Sequence, residues 1–320
     1  YGEGTKNIVF AFFRIFSHSQ RRRNAKKNTR LIFFKHSKWL NRDMLVDSTI
    51  PSSSGASSSS ALAMCGMMAF RLCNRLSTGA LEMANDTADA EWYVGTRGGM
   101  MDHATMAFAQ AGHALRLTFR PFSATSIPLS LVGTRFVTIF THPSDKGGDT
   151  LRAFNELAFV ARELLPRLLA EEGWPLTGEP MDNWKDIAKR LPVELTVNEV
   201  RGRWFDDFDG MRARYPILLE NDDLSMRIAD RFRFAMREFQ RSRELQALVE
   251  TDTLTCERLG GIFDSAWEDA GELYGIRTPE MDRIASIARG LEGVLGLKVM
   301  GAGFGGNLLA IIREESVDDL

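Results

Sequence analysis

At 320 residues the chain can bury a substantial core, and its length suits two domains better than one. With 44% hydrophobic and 26% charged residues it has the make-up of an ordinary soluble globular protein, which excludes fibrous, disordered and membrane-spanning classes. The net charge of −2 is uneven: residues 1–50 carry eleven Lys/Arg against three Asp/Glu, leaving a body near −10 that argues against nucleic acid as a partner.

The apolar stretch IVFAFFRIF at 8–16 is too short to span a membrane and contains Arg14, so it reads as a strand or a disordered leader. Residues 1–47, with their basic run QRRRNAKKNTR, show little clean periodicity and are expected to be solvated and poorly ordered. A serine-rich loop, IPSSSGASSSSA at 50–61, then runs straight into an apolar helix over 57–76. Ser77 and Thr78 can cap a second helix over 79–91. Residues 94–108 form a glycine-rich turn entering an apolar segment. Alternation predicts strands at 113–122 and 135–141, with a boundary between them near SATSIPLS that divides the chain into 1–127 and 128–320. Helices are predicted over 149–171, 182–190, 223–249, 253–273 and 278–294, with a polar, irregular stretch at 198–222. The chain closes on strand–turn–strand, GLKVMGAGFGGNLLAIIRE, giving two α+β domains rather than a regular βαβ array.

Cys65, Cys73 and Cys256 form no CxxC pair, and the five histidines no HxxxH, so the cysteines read as small core residues in a reducing, cytoplasmic setting. The serine loop is the informative feature. A helix N-terminus presents unpaired N–H groups and the positive end of a dipole, and small side chains let an anion approach that backbone closely. An anion cradle and a serine-rich helix cap both fit these residues. Spacing excludes the common alternatives. No Lys follows a Gly, as Walker A requires, and DFDG at 207–210 is only a near miss to a protein-kinase DFG. The formal GxGxxG at 301–306 precedes a strand-like NLLAII instead of a helix, so a dinucleotide fold fails.

Three ordered stretches carry a resemblance. IPSSSGASSSSA resembles the phosphate loop of the GHMP kinases (galactokinase, homoserine, mevalonate and phosphomevalonate kinases), P-x-G-x-G-L-[GS]-S-S-A. GTRGGMMDHATMAFAQAGHALRLTF resembles the galactokinase stretch around G-I-M-D-Q, and GLKVMGAGFGGNLLAII the third motif, G-G-G-F-G-G. LRAFNELAFVARELL and LGGIFDSAWEDAGELYGIRTPEMDRI look like the Y-N-x-R segment and a late helix, and the likeness runs from about residue 47. It implies a two-domain α+β GHMP kinase fold, with a ribosomal protein S5 domain 2-like N-terminal domain and a ferredoxin-like C-terminal domain.

The implied activity is ATP- and Mg²⁺-dependent phosphorylation of a monosaccharide hydroxyl, by a monomer or homodimer without membrane or nucleic-acid partners. Backbone N–H groups of Ser53, Ser54, Gly55, Ala56, Ser57, Ser58, Ser59 and Ser60 would hold ATP phosphates. Ser59, or Ser60 one residue on, and Glu91 would hold the metal, Asp102 would act as base, and Gly99 and Phe154 would lie against the sugar. Gly301, Gly303, Gly305 and Gly306 would form a turn facing the phosphate loop. Structural roles stand beside these: Glu91 as a solvated helix-end acid, Asp102 as a cap, and the glycines as a plain hairpin. Several positions depart from the family. The first motif, G-R-x-N-L-I-G-E-H-T-D-Y, is not legible, so that segment is expected to be truncated or diverged. Ser53 replaces Gly, Ala56 replaces Leu, Phe154 replaces Tyr and His103 replaces Gln. Alternatives left open are a mevalonate or uronic acid kinase, and an inactive sugar- and ATP-binding regulator.

Overall fold

The structure, a computed structural model, describes residues 12–15, 32–34, 44–50, 55–94, 97–119, 121–144, 147–174, 182–204 and 208–320. Near the N-terminus β1 (Phe12–Ile15), β2 (Ile32–Phe34) and β3 (Met44–Asp47) form an antiparallel sheet in the order β1-β3-β2. The strand reading of 8–16 thus holds at Phe12–Ile15, whereas the expectation of a poorly ordered segment is wrong for residues 32–34 and 44–47. Their short apolar runs pair with one another, and Val46 of β3 packs on Ala69 and Leu62.

Three helices follow: α1 (Ser58–Cys73), α2 (Ala80–Glu91) and α3 (Met101–Phe108). They pack against one another through small residues, with Ala84 and Ala104 fully buried. The Thr87 hydroxyl, also buried, donates to the Met83 carbonyl at 2.6 Å. Small side chains bring α1, α2 and α3 close, and this sets the spacing of everything at their ends.

Strand β4 (His113–Phe119) pairs antiparallel with β5 (Phe122–Pro128), in register from His113↔Pro128 to Phe119↔Phe122. Most of SATSIPLS is thus strand and not a linker, because its Ser/Thr residues alternate with Ala124 and a buried Ile127. Strand β6 (Thr134–His142) follows, and then α4 (Gly148–Phe159). The helix expected over 149–171 is broken by a π-helical turn, Val160–Leu164, before α5 (Leu165–Glu171). Pro166 lacks the N–H that the regular ladder needs, and the backbone widens to accommodate it.

Beyond α6 (Trp184–Arg190) and β7 (Glu194–Thr196), the stretch read as irregular is largely helical: α7 (Val197–Trp204), α8 (Phe208–Arg214) and α9 (Pro216–Leu219). Val197, Val200, Met211, Tyr215 and Leu218 are buried and tie these short helices to the core. Strand β8 (Ser225–Arg227) pairs with β7, and only then does α10 (Ile228–Glu250) begin. Helices α11 (Cys256–Glu272) and α12 (Pro279–Arg289) start at the caps Thr255 and Thr278, whose side chains accept from Arg258 N–H and Met281 N–H. Strands β9 (Val294–Val299) and β10 (Gly306–Arg313) close the fold as the predicted hairpin, within a sheet ordered β6-β10-β9. One core lies among α4 to α10, and a second between this sheet and α11 and α12. Among the described residues no helix is long and apolar enough to cross a membrane.

Helix α11 meets β9 backbone to backbone. A Cβ on Gly260 would stand 2.1 Å from the Leu295 carbonyl oxygen, whereas one on the neighbouring Gly261 would meet nothing within 4 Å. Gly260→Ala is expected to lower unfolding free energy by about 3 kcal/mol, the upper end for overpacking. Gly261→Ala should raise it by about 0.5–1 kcal/mol through helix propensity. Urea titration of the pair checks this; equal effects would show that the contact does not govern α11.

Candidate active site

The mouth of α1 is built from backbone. Gly55 and Ser57 both lie in the left-handed region, at φ 76° and 54°, a curl of the kind that turns successive N–H groups to one concave side. Ser57 occupies the N-cap position but makes no side-chain cap hydrogen bond, and the first turn carries no acidic residue. The serines therefore do not work as a conventional side-chain cap, and the positive end of the helix is left for another anion. Ser53 and Ser54 lie outside the described residues.

The loop is braced from behind by the turn between β9 and β10. A Cβ on Gly301 would come within 2.9 Å of the Gly55 carbonyl oxygen, and one on Gly55 within 3.4 Å of the Gly306 Cα and the Asn307 N. Gly301 and Gly306 thus face the loop. Gly303 and Gly305 point elsewhere, onto Ile276 and onto His142 and Ser144. The turn is anchored by Met300 N–H donating to the Asn307 carbonyl at 3.0 Å and Thr141 Oγ1 to the Gly306 carbonyl at 2.8 Å.

Glu91, the last residue of α2, reaches the same place. Buried Ser60 donates its hydroxyl to Glu91 Oε2 at 2.9 Å, while Ser59 is exposed. His103, 1% exposed, brings Nε2 to 3.2 Å from the same oxygen, off the line of a straight hydrogen bond. Burial alone pushes the Glu91 carboxyl up, but the nearby His103 ring and the donors Ser59 and Ser60 outweigh it and bring it down to about 2. This is no freely solvated helix-end acid. An ionised carboxylate beside two hydroxyls is a hard-oxygen set that fits Mg²⁺, which takes few protein ligands and completes its shell with phosphate and water. Among the described residues no group of three or more His, Cys, Asp or Glu is gathered for a metal.

Asp102 lies in the first turn of α3, one residue from His103, partly exposed and without a hydrogen-bond or ion-pair partner among the described residues. The loop before it is pinned from two sides. The Gly98 carbonyl accepts from Trp92 Nε1 at 3.1 Å and from Arg162 Nη2 at 2.5 Å. Arg162 comes from the π-helical turn, and a Cβ on Gly99 would sit 3.4 Å from its Nη2. Arg97 N–H donates to Asn155 Oδ1 at 3.3 Å, which brings the segment carrying Phe154 to the loop. The Arg97 and Arg162 guanidiniums both lie over the Trp92 ring, at 5.2 and 5.1 Å. Motif reading missed His103 as a contact of Glu91, and Trp92, Asn155 and Arg162 as holders of the loop. Only the departure of His103 from the family pattern marked any of them.

Two family profiles match the chain: GHMP kinases N terminal domain over residues 24–110, and GHMP kinases C terminal over 229–320. Together they cover more than half of it. The chain belongs to the GHMP kinase family. The likeness begins at residue 24, well before residue 47, so part of the basic segment belongs to the family domain. This GHMP kinase is 25% identical to a galactokinase of Thermotoga neapolitana over 276 residues, 86% of this chain and 66% of the relative. It is 26% identical to a galactokinase of Chloroflexus aggregans over 279 residues, 87% of this chain and 62% of that one. In fold it is similar to the crystal structure of Lactococcus lactis galactokinase complexed with galactose, with a TM-score of 0.62, 22% identity, and coverage of 86% of this chain and 62% of that one. The GHMP kinase chain thus spans less than two thirds of the length of these curated relatives.

Two outcomes are expected. The stability that Glu91 contributes by being ionised is complete above its ordinary value of 4.5 and is lost as pH falls towards 2. Urea melts across that window should show the wild type losing stability more steeply than Glu91→Gln, and parallel curves would contradict the environment described. Gly301→Ala, forced at φ 77° and against the Gly55 carbonyl, should weaken ATP-analogue binding by about tenfold, the low end of a 1–3 kcal/mol strain, as read by calorimetry.

Proposed function

We propose that this protein is an ATP-dependent sugar kinase of galactokinase type, transferring a γ-phosphoryl group to a monosaccharide hydroxyl. The observation that carries the reading is the Ser60–Glu91 hydrogen bond, which brings an ionised carboxylate to the mouth of a helix whose N-cap side chain leaves its amides free. Residues 1–127 would form the nucleotide-binding half and 128–320 the second half, working in the cytoplasm as a monomer or homodimer. The N–H groups from Ser53 to Ser60 would cradle the phosphates, with Gly301 and Gly306 backing the loop. Glu91 and a hydroxyl of Ser59 or Ser60 would hold Mg²⁺, which when bound offsets phosphate charge.

Phosphoryl transfer passes through a loose transition state, so positioning and charge neutralisation dominate. Asp102, with no partner of its own among the described residues, would accept the acceptor hydroxyl's hydrogen bond and then its proton. The hydroxyl oxygen bonds to the γ-phosphorus, the bond from that phosphorus to the β-phosphate oxygen breaks, and ADP leaves. Gly99, pinned through Gly98, and Phe154 would border the sugar.

One observation favours a second reading, a uronic acid acceptor. Arg97 and Arg162 stand at the acceptor loop, and neither has a carboxylate partner among the described residues. An ADP-release assay over neutral sugars and uronic acids separates the two readings: galactose turnover supports the first, and turnover of uronic acids alone the second. On whichever acceptor turns over, Asp102→Asn is expected to reduce the rate at least about a hundredfold while leaving ATP-analogue affinity within twofold. Retention of most of the rate would remove Asp102 as the base.

A further inference from the structure

Glu91 has two carboxylate oxygens, and the surroundings treat them differently. Among the described residues, the Ser60 hydroxyl at 2.9 Å and the His103 ring at 3.2 Å both approach Oε2. The Glu91 side chain keeps 19% of its surface exposed, whereas that of His103 keeps 1%. His103 lies at the centre of the α1–α2–α3 packing, where an apolar residue would serve a purely structural purpose better. Both of its ring nitrogens are buried without a well-aligned hydrogen bond, a cost that packing alone does not explain. The ring nitrogen nearest the carboxylate supplies the explanation. A carboxylate only accepts, so the nitrogen that stands 3.2 Å from Oε2 can engage it only as an N–H donor.

We infer that His103 is a positioning residue, which engages Oε2 of Glu91 together with Ser60 and so presents Oε1 to the divalent cation at the phosphate loop. The inference rests on the metal role proposed for Glu91. It requires a side chain in α3 with an N–H at the reach of Nε2. Gln meets that requirement, since its amide extends about as far, and Leu does not. Outer partners of metal ligands typically control affinity by about 10–100-fold.

The test uses the full chain with a non-hydrolysable ATP analogue and Mn²⁺ as the probe, free Mn²⁺ being counted by electron paramagnetic resonance. His103→Leu is expected to weaken Mn²⁺ binding to the nucleotide complex by about tenfold or more. His103→Gln should restore it to within about threefold, and metal-free nucleotide affinity should stay within twofold in both. Thermal melts run alongside. If His103→Leu does not fold, His103→Asn, whose shorter amide stops short of Oε2, takes its place with the same expected loss. Mn²⁺ affinity within twofold of wild type in the Leu or Asn variant, while Glu91→Gln loses it, overturns the role of His103 and leaves Glu91 as ligand. Unchanged affinity in Glu91→Gln removes the metal role of Glu91, and the role of His103 with it.

Discussion

The site depends on bare backbone meeting bare backbone. A methyl on Gly301, in the turn before β10, would stand 2.9 Å from the carbonyl oxygen of Gly55 in the loop before α1 and has nowhere relaxed to go. Both hold positive φ, and at Gly301 glycine is demanded twice, by space and by conformation. Through this contact the first and last thirds of the chain fix one another. The curl of the serine loop belongs as much to the β9–β10 turn, and the sheet that carries it, as to local sequence.

On that frame the electrostatics are simple. The mouth of α1 is left positive, without acidic residues in its first turn. Across from it Glu91 stays ionised despite its burial, because three donors converge on it. Asp102 emerges on the far side of His103 from a loop that Trp92, Arg162 and Asn155 hold still. An anion-seeking helix end, an ionised carboxylate and a partner-free carboxylate thus reach one region from three helices. Small residues such as Ala84 and Ala104 keep those helices close.

Features that depend on a local backbone requirement were legible in the sequence. Serines at a helix mouth, glycines in a tight turn and the alternation of the closing hairpin each follow from neighbouring residues. The features that escaped depend on partners far along the chain. Residues 32–34 and 44–47 look unpatterned singly and become a sheet only when paired with each other and with 12–15. The helices over 197–219 hide their purpose in a few apolar residues that a distant core selects. The boundary placed near SATSIPLS falls on a strand, because β4 gives most of it a ladder. His103 meets Glu91 from another helix, and no spacing rule joins them. Arg162, in the π-helical turn next to Pro166, reaches Gly98 across 64 residues of chain.

The strand order β6-β10-β9 has a consequence for how the molecule is made. Its middle strand is the last of the three to be synthesised, so β6 and β9 wait unbridged while the polypeptide is still growing. Until residues 306–313 leave the ribosome, the brace behind the serine loop has no sheet to hang from. The nascent protein carries two open strand edges until residues 306–313 emerge, a period in which chaperone cover matters most.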